Sequence, residues 1–398
     1  MNRSLIVIYT AIILDAAGIG LIFPILPNLL QDVIHVPDVS PYIGVMIALY
    51  AIMQFIFSPV LGAVSDRIGR RPVLLISLAG ATANYLLLAS ATNLWMLLAG
   101  RAIAGTTSAN VSVATACITD ITPEEDRARR FGLLNAMFGM GFIIGPVLGG
   151  ALSEYGLRLP FIAAALLTGF NLLLALLALP ESRVPTGAAI HLTDMNPLRP
   201  LYRVLSMKHL LPIISVFFIF SATGESYGVC WALWGEDAFH WNGLWIGLSL
   251  GAFGVCQTLA QALLPGPAVR VLGERAAILT GVASVCAALT IMAFVTTGWM
   301  VFAIMPVFAL GGIGMPALQS LATRLVDETE QGQLQGVLAS VVSLASIVAP
   351  LGFSSLYLMT RPQWPGAVWL SVVALYVIGA LMVLTLRFKG QQAPPHRI

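Results

Sequence analysis

Charged residues are scarce in this 398-residue chain, only 10% of it, while 58% is hydrophobic. So little polarity cannot clothe a water-soluble domain of that length. Cysteine is nearly absent too. Cys117, Cys230, Cys256 and Cys286 all fall inside apolar runs, with no CxxC or His/Cys cluster, which leaves them as small apolar fillers rather than metal ligands or disulfide partners. The five histidines, His35, His191, His209, His240 and His396, are scattered through predicted loops and tails, and neither HExxH nor GxSxG occurs. A membrane enzyme would lack its nucleophile, base or metal set. No large soluble domain is present to serve a sensor or scaffold. Nothing demands a cofactor or a bound metal, and the net charge of +2 gives no argument for nucleic acid.

What the chain has instead is hydrocarbon in long runs. A spanning helix needs about 20 mostly apolar residues. Twelve such spans are predicted, near Leu5 to Pro27, Tyr42 to Leu61, Val73 to Ala91, Leu94 to Thr119, Phe131 to Ser153 and Leu159 to Leu179, then Leu211 to Trp234, Leu244 to Leu264, Ala276 to Thr296, Trp299 to Leu321, Leu334 to Met359 and Ala367 to Leu386. The first begins almost at the initiator Met with no small-residue cleavage site behind it, so it reads as a retained span rather than a signal peptide. Lys and Arg gather in short cytoplasmic loops. With both termini inside, all 20 fall on that side except Arg158 and Arg361, in opposite-face loops, and Arg101, within a span.

At an offset of 204 residues the chain repeats itself. Gly62, Gly69 and Arg71 recur as Gly266, Gly273 and Arg275, while Asp126, Gly132, Leu134 and Pro146 recur as Glu330, Gly336, Leu338 and Pro350. The same offset turns Asp66 into Arg270 and Arg70 into Glu274, so the glycines persist and two signs reverse. The fold expected is all-α and integral to the membrane, twelve helices in two pseudo-symmetric six-helix bundles. They occupy residues 1–180 and 210–398, the second with a short cytoplasmic tail, joined by a polar cytoplasmic linker at 181–209. Halves related by an axis along the membrane normal are a transporter arrangement, with the binding site near the midplane between them.

Several local patterns carry physical content. In GAVSDRIGRRP, Gly62 to Pro72, the glycines permit a tight turn, and Asp66 near the start of helix 3 can favour its positive dipole end. Arg70 and Arg71 offer bidentate donors to Asp66 or Asp120. Such a latch would hold the cytoplasmic edges of the two halves together in one conformation and release them in the other. The plainer reading is that these arginines only set topology. Span 5 places Gly141, Gly145 and Gly149 on one smooth face and adds a bend at Pro146. Three charges lie inside spans, Asp15, Arg101 and Glu225, at a cost of about 2.5 to 3.5 kcal/mol each near the bilayer centre. Asp15 and Glu225 are candidate proton carriers and Arg101 a partner that tunes or replaces the proton. A structural, hydrogen-bonded role remains open for Asp15 and Arg101, and Glu225 can also lie near the outer face.

Four stretches resemble signatures of the major facilitator superfamily, specifically its drug/proton antiporters: GAVSDRIGRRP, RAIAG (Arg101 to Gly105), GFIIGPVLGG (Gly141 to Gly150) and LDAAGIGLIFPILP (Leu14 to Pro27). In the second half LGERAAIL, GGIGMPALQ and GQLQGVLA resemble the tetracycline/proton antiporters of bacteria. The resemblance implies proton-coupled efflux of tetracycline-like or other amphiphilic drugs across the inner membrane by alternating access. Drug, proton and bilayer would be the partners, and a monomer would suffice. A proton-driven exporter of a different drug or metabolite, or an uncoupled facilitator, remains the alternative. Resemblance and residue type together point to Gln54, Asn84, Gln257 and Gln319 as polar anchors for the cargo, with Phe23, Tyr50, Phe253 and Met315 as aromatic or soft surface. Each aromatic can equally serve helix packing or lipid contact. Trp231, Trp234, Trp241 and Trp245 read as an interfacial belt. The chain departs from those antiporters where they carry acids in helices 3 and 9 and a histidine in helix 8: here stand Asn84, the neighbourhood of Val285, and Gln257. Glu225 stands where a neutral amide is expected. Either the coupling carboxylates are redistributed or the cargo differs in charge.

Overall fold

The computed structural model describes residues 3–108, 110–182, 210–324, 326 and 331–385. Most of the expected linker and the tail lie outside the described residues, with Arg183, Arg199, Arg203, Lys208, Arg387, Lys389 and Arg397, and so does Glu330 of the internal repeat. Among the described residues, 11 helices are long and apolar enough to cross a membrane. The twelfth expected span, the fourth, is present as two shorter helices, Leu94–Thr106 and Asn110–Ile121. At the end of the first piece the Thr106 and Thr107 hydroxyls bond back to the Ala102 and Ile103 carbonyls, local bonds that compete with the helical ladder.

Proline and glycine set the other departures from the expected boundaries. Span 1 (Arg3–Ile22) stops before Pro24, and a second helix, Leu26–Ile34, starts with Pro27 in its first turn, where a missing N–H costs nothing. Span 2 (Ser40–Ile68) runs on until Gly69, whose φ of 104° only glycine adopts without strain, and span 3 (Arg70–Ser90) starts at the next residue. Asp66 therefore belongs to the last turn of span 2. Span 5 (Glu124–Ser153) begins earlier than hydropathy suggested, because Glu124, Glu125 and Asp126 in its first turn suit the helix dipole. Span 6 is Leu159–Ala178. The second half follows with span 7 (Leu211–Phe239), span 8 (Gly243–Leu263), span 9 (Pro265–Phe294, kinked at Gly273 with φ 78°), and span 10, made of Gly298–Ala309 and Gly314–Thr323 around a 3-10 turn at Leu310–Ile313. Spans 11 (Gln331–Thr360) and 12 (Ala367–Thr385) complete it.

The buried side chains show how the halves meet. One apolar cluster joins Leu21, Ile25, Ile43, Tyr85 and Phe161 of the first half to Trp231, Trp234, Phe308, Tyr357 and Trp369 of the second. At the basic end of the bundle, which carries Gly69, Arg70 and Arg71, each half keeps a core of its own: Ile8, Val73, Ile118, Leu134 and Leu179 in one, Ile213, Ile278, Leu318, Leu334 and Val383 in the other. Glycines agree with this division. Away from the basic end Gly44 lies against Pro350 and Ser354, and Gly150 against Gly243, whereas Gly62, Gly132, Gly332 and Gly336 face open space. The halves are fused at one end and parted at the basic end. Three of the four tryptophans expected in an interfacial belt, Trp231, Trp234 and Trp241, are instead buried in the shared core, and Trp245 is exposed. Trp231 and Trp234 find better ring partners in one another, Phe308 and Trp369, and Trp241 in Phe239 and Phe302, than in a lipid headgroup region.

Candidate functional site

In the first half, four spans bring one polar group together. Asp15 on span 1 is 6% exposed. A Cβ on Gly18, one turn further, would lie 3.2 Å from the Tyr85 hydroxyl of span 3. The charges of Asp15 and of Arg101 on span 4 both act on the hydroxyls of Tyr50 and Tyr85. Tyr50 Oη lies 2.7 Å from Ser108 Oγ, and Gln54 Nε2 donates to the same oxygen at 3.0 Å. Span 4 can come this close because Gly105 lets its backbone lie on the Tyr50 carbonyl. Arg101 Nε is buried and finds no hydrogen-bond partner among the described residues. An acid, a guanidinium and two phenols thus share a place where a charge is costly. Tyr85 and Ser108 belong to this group and were not picked out from the sequence; Tyr85 carries a signal in standing beside Asn84 in an otherwise apolar span.

Among the described residues of the second half, Glu225 is the acid set in the middle of a span. It occupies the midpoint of the 29-residue span 7. Its carboxylate accepts a hydrogen bond from Ser346 Oγ of span 11 at 2.5 Å. Nearby, the Tyr227 ring stacks on Trp369 with centroids 5.8 Å apart and meets Phe308 edge-on at 5.0 Å, and Phe253 stacks on Phe308 at 4.8 Å.

The other residues expected around a cargo separate into distinct places. Phe23 approaches Gly228 of the second half and meets Phe142 of span 5 edge-on at 5.8 Å, with Phe138 stacked behind at 6.2 Å. Phe138 and Phe142, four apart, went unnoticed although that spacing marks one helix face. Asn84 is sealed against Gly100, not open to a cavity, and its Oδ1 lacks a partner among the described residues. Span 3 turns this face towards span 4, which corrects the expectation of a cargo contact in this conformation. Gln257 lies against Gly312, while Met315 packs on the core of the basic end. Gln319 donates to Gln335 at 3.1 Å.

The glycine face of span 5 lies on the backbone of span 1: Gly141 on Ile13, Gly145 on Ala17, Gly149 on Leu21. Pro146 and Gly150 touch span 8 of the other half at Gly247 and Gly243. One helix therefore lies close on both halves, backbone on backbone against span 1 and with Ile143 and Val147 set against Gly254 and Gly251 of span 8.

Charge closes the two ends differently. At the basic end Arg70 reaches Asp66 at 2.8 Å, Asp120 at 3.2 Å and Ser65 at 3.1 Å. Its backbone N–H and that of Arg71 donate to Glu181 at 2.8 and 3.2 Å, while the Arg71 guanidinium donates to the Leu176 carbonyl at 2.6 Å. The carboxylate at the start of span 3 is thus Glu181 rather than Asp66, and Glu181, expected to open the linker, is tied to the first half. Every one of these partners is in the first half, so among the described residues these contacts do not bridge the halves. The bridge is at the far end, where Arg361 binds Asp38 of the first half at 3.0 Å and Asp237 of the second at 2.6 Å, and Tyr357 also donates to Asp237 at 2.6 Å. Burial opposes the charge of Arg361, but the hydrogen bond and charge of Asp237, with Asp38, hold its pKa above the ordinary value.

Comparison with known proteins agrees with this architecture. The sequence profile of the Major Facilitator Superfamily matches residues 8–233 and again 225–397. The tetracycline resistance protein of class C from Escherichia coli is 47% identical over 377 residues, 95% of each chain. The class G protein from Vibrio anguillarum is 44% identical, covering 95% of this chain and 96% of its own. The crystal structure of the nucleoside transporter NupG superposes with a TM-score of 0.79 at 14% identity, covering 96% and 98% of the two chains, which speaks for the fold alone. With two profile matches, full-length relatives and halves parted at one end around buried charges, the chain belongs to the major facilitator superfamily of membrane transporters, in the branch that holds these two resistance proteins.

Proposed function

We propose that this chain expels tetracycline-like drugs across the bacterial cytoplasmic membrane in exchange for protons, by alternating access, as a monomer. The carrying observation is identity of 47% and 44%, along nearly the whole chain, to proteins named for tetracycline resistance. The basic end faces the cytoplasm in this reading, both termini lie inside, residues 1–180 and 210–398 act as the two moving halves, and the conformation described is the one open to the cytoplasm. Asp15 and Glu225 carry the coupling proton. Asp15 shares its place with Arg101, Tyr50 and Tyr85, and Glu225 is held by Ser346, so opening to one side or the other can load or release a proton. Tyr50, Gln54, Phe23, Phe253 and Gln257 contact the cargo, and Asp66, Arg70 and Asp120 serve the inner gate.

Everted membrane vesicles test this directly: with an imposed proton gradient they should accumulate tetracycline and acidify less, and a protonophore should abolish uptake. Glu225→Gln and Asp15→Asn should each uncouple proton movement from drug uptake. If both variants retain gradient-driven uptake, neither residue carries the proton. A second reading, export of a different amphiphilic drug, is favoured by Asn84, Gln257 and Val285 standing where the resemblance leads one to expect two acids and a histidine. A panel of unrelated cationic drugs in the same vesicles separates the two, and transport that survives collapse of the gradient would mark a facilitator.

A further inference from the structure

The offset of 204 residues relates more than motifs: it relates an ion pair to its charge-reversed image. Arg70 and Asp120 map onto Glu274 and Arg324. The first pair closes at 3.2 Å and ties the start of span 3 to the end of span 4, and the second closes at 2.9 Å and ties the post-kink start of span 9 to the end of span 10. The turn before each is the same, with Gly69 at φ 104°, ψ 164° and Gly273 at φ 78°, ψ 163°. The next residue repeats its role too, since Arg71 donates to the Leu176 carbonyl near the end of span 6 and Arg275 to the Leu384 carbonyl near the end of span 12. Glu274 is built into its place. Its side chain is 14% exposed, Ser320 also donates to it at 3.4 Å, and Arg324 covers it from the solvent side at 69% exposure.

The reversal has a physical cause. An arginine at the first position of a helix opposes the dipole and leaves the first N–H groups in need of an acceptor. In the first half Glu181, just past span 6, supplies that acceptor to Arg70 and Arg71. The second half carries Thr385 at the position that corresponds to Glu181, so no carboxylate stands there. With an acid at 274 the helix start carries its own favourable charge, and the partner at 324 must then be basic.

We infer that Glu274 and Arg324 form a second inner clamp, a pair of positioning residues that keeps the basic ends of spans 9 and 10 together so that the second half moves as one body when the inner face closes. The pair touches no cargo. It acts on the closing step, and its loss lowers the maximal transport rate while leaving the drug KM in place.

The test uses the full chain with its four cysteines replaced and one cysteine introduced at Gly332, in the first turn of span 11 at the basic end with open space beside it. Maleimide labelling of that cysteine reports closure without any cargo, so it stands even if the tetracycline reading fails. Glu274→Gln and Arg324→Gln should each label faster than the parent, and the maximal rate of drug uptake should fall about three- to ten-fold. Glu274→Asp should restore both readouts. Reversing both partners, Glu274→Arg with Arg324→Glu, should recover only part of the rate, and adding Thr385→Glu, an acid at the offset position of Glu181, should recover more. Unchanged labelling and rate in both Gln variants present at parental levels in the membrane would overturn the inference. So would a double reversal no better than Glu274→Arg alone.

Discussion

At the scale of single residues, the buried polar groups separate by what they can lose. Tyr85 buries its ring in the shared core and directs its hydroxyl to the Asp15 and Arg101 group. Tyr85→Phe keeps the packing and removes the hydroxyl, so the protein should fold normally while proton-driven uptake slows roughly five-fold, as for the loss of about 1 kcal/mol of polar interaction. A variant with full activity in everted vesicles would remove Tyr85 from the site. Ser346→Ala takes away the donor to Glu225. Proton-driven uptake should then slow roughly five-fold at unchanged protein levels, as for the loss of about 1 kcal/mol of hydrogen bonding, while unchanged uptake in everted vesicles would assign Ser346 to packing. The sequence made Asp15, Arg101 and Glu225 visible because any ion in an apolar run stands out. It hid Tyr85, Ser108 and Ser346, whose polarity is common in helices and gains meaning only from the neighbours that tertiary packing supplies.

At the scale of elements, hydropathy found the spans but misplaced their ends where the backbone decides. Leu26–Ile34 follows from Pro24 and Pro27, and the long reach of span 2 from Gly69; neither shows in a running average of side-chain polarity. The tryptophans of span 7 were misread for a related reason. An aromatic near a helix end suits either an interface or a core, and only Trp369 and Phe308, remote in sequence, decide for the core. Span 5 offers a test within one helix. Gly145 lies on the Ala17 backbone, and Gly132 faces open space. Gly145→Ala should destabilise the protein by about 1 to 3 kcal/mol through forced separation of spans 1 and 5, read as a lower midpoint in detergent thermal melts. Gly132→Ala should be neutral or stabilising by up to about 1 kcal/mol, from helix propensity. Equal effects at the two positions would contradict the packing described.

At the scale of the molecule, the duplicated plan was legible in the 204-residue register, but which end is closed was not, because that depends on contacts between halves. Arg361, Asp38 and Asp237 hold the end remote from the basic residues. Removing the shared cation leaves two carboxylates facing each other, so Arg361→Gln should favour opening there. A cysteine at Ser354, buried against Gly44 in this conformation, should be protected from a membrane-impermeant thiol reagent in the parent and labelled in the Arg361→Gln background. Protection in both would place the lock elsewhere. Span 5 gives such motion its mechanical character. The face it turns to span 1 is glycine at 141, 145 and 149 and lies directly on backbone, whereas the face it turns to span 8 sets the Ile143 and Val147 side chains against Gly254 and Gly251, so the seam between the halves carries two small teeth seated in backbone notches. A methyl group added at Gly251 or Gly254 would fill its notch and wedge the halves apart at that point of the seam.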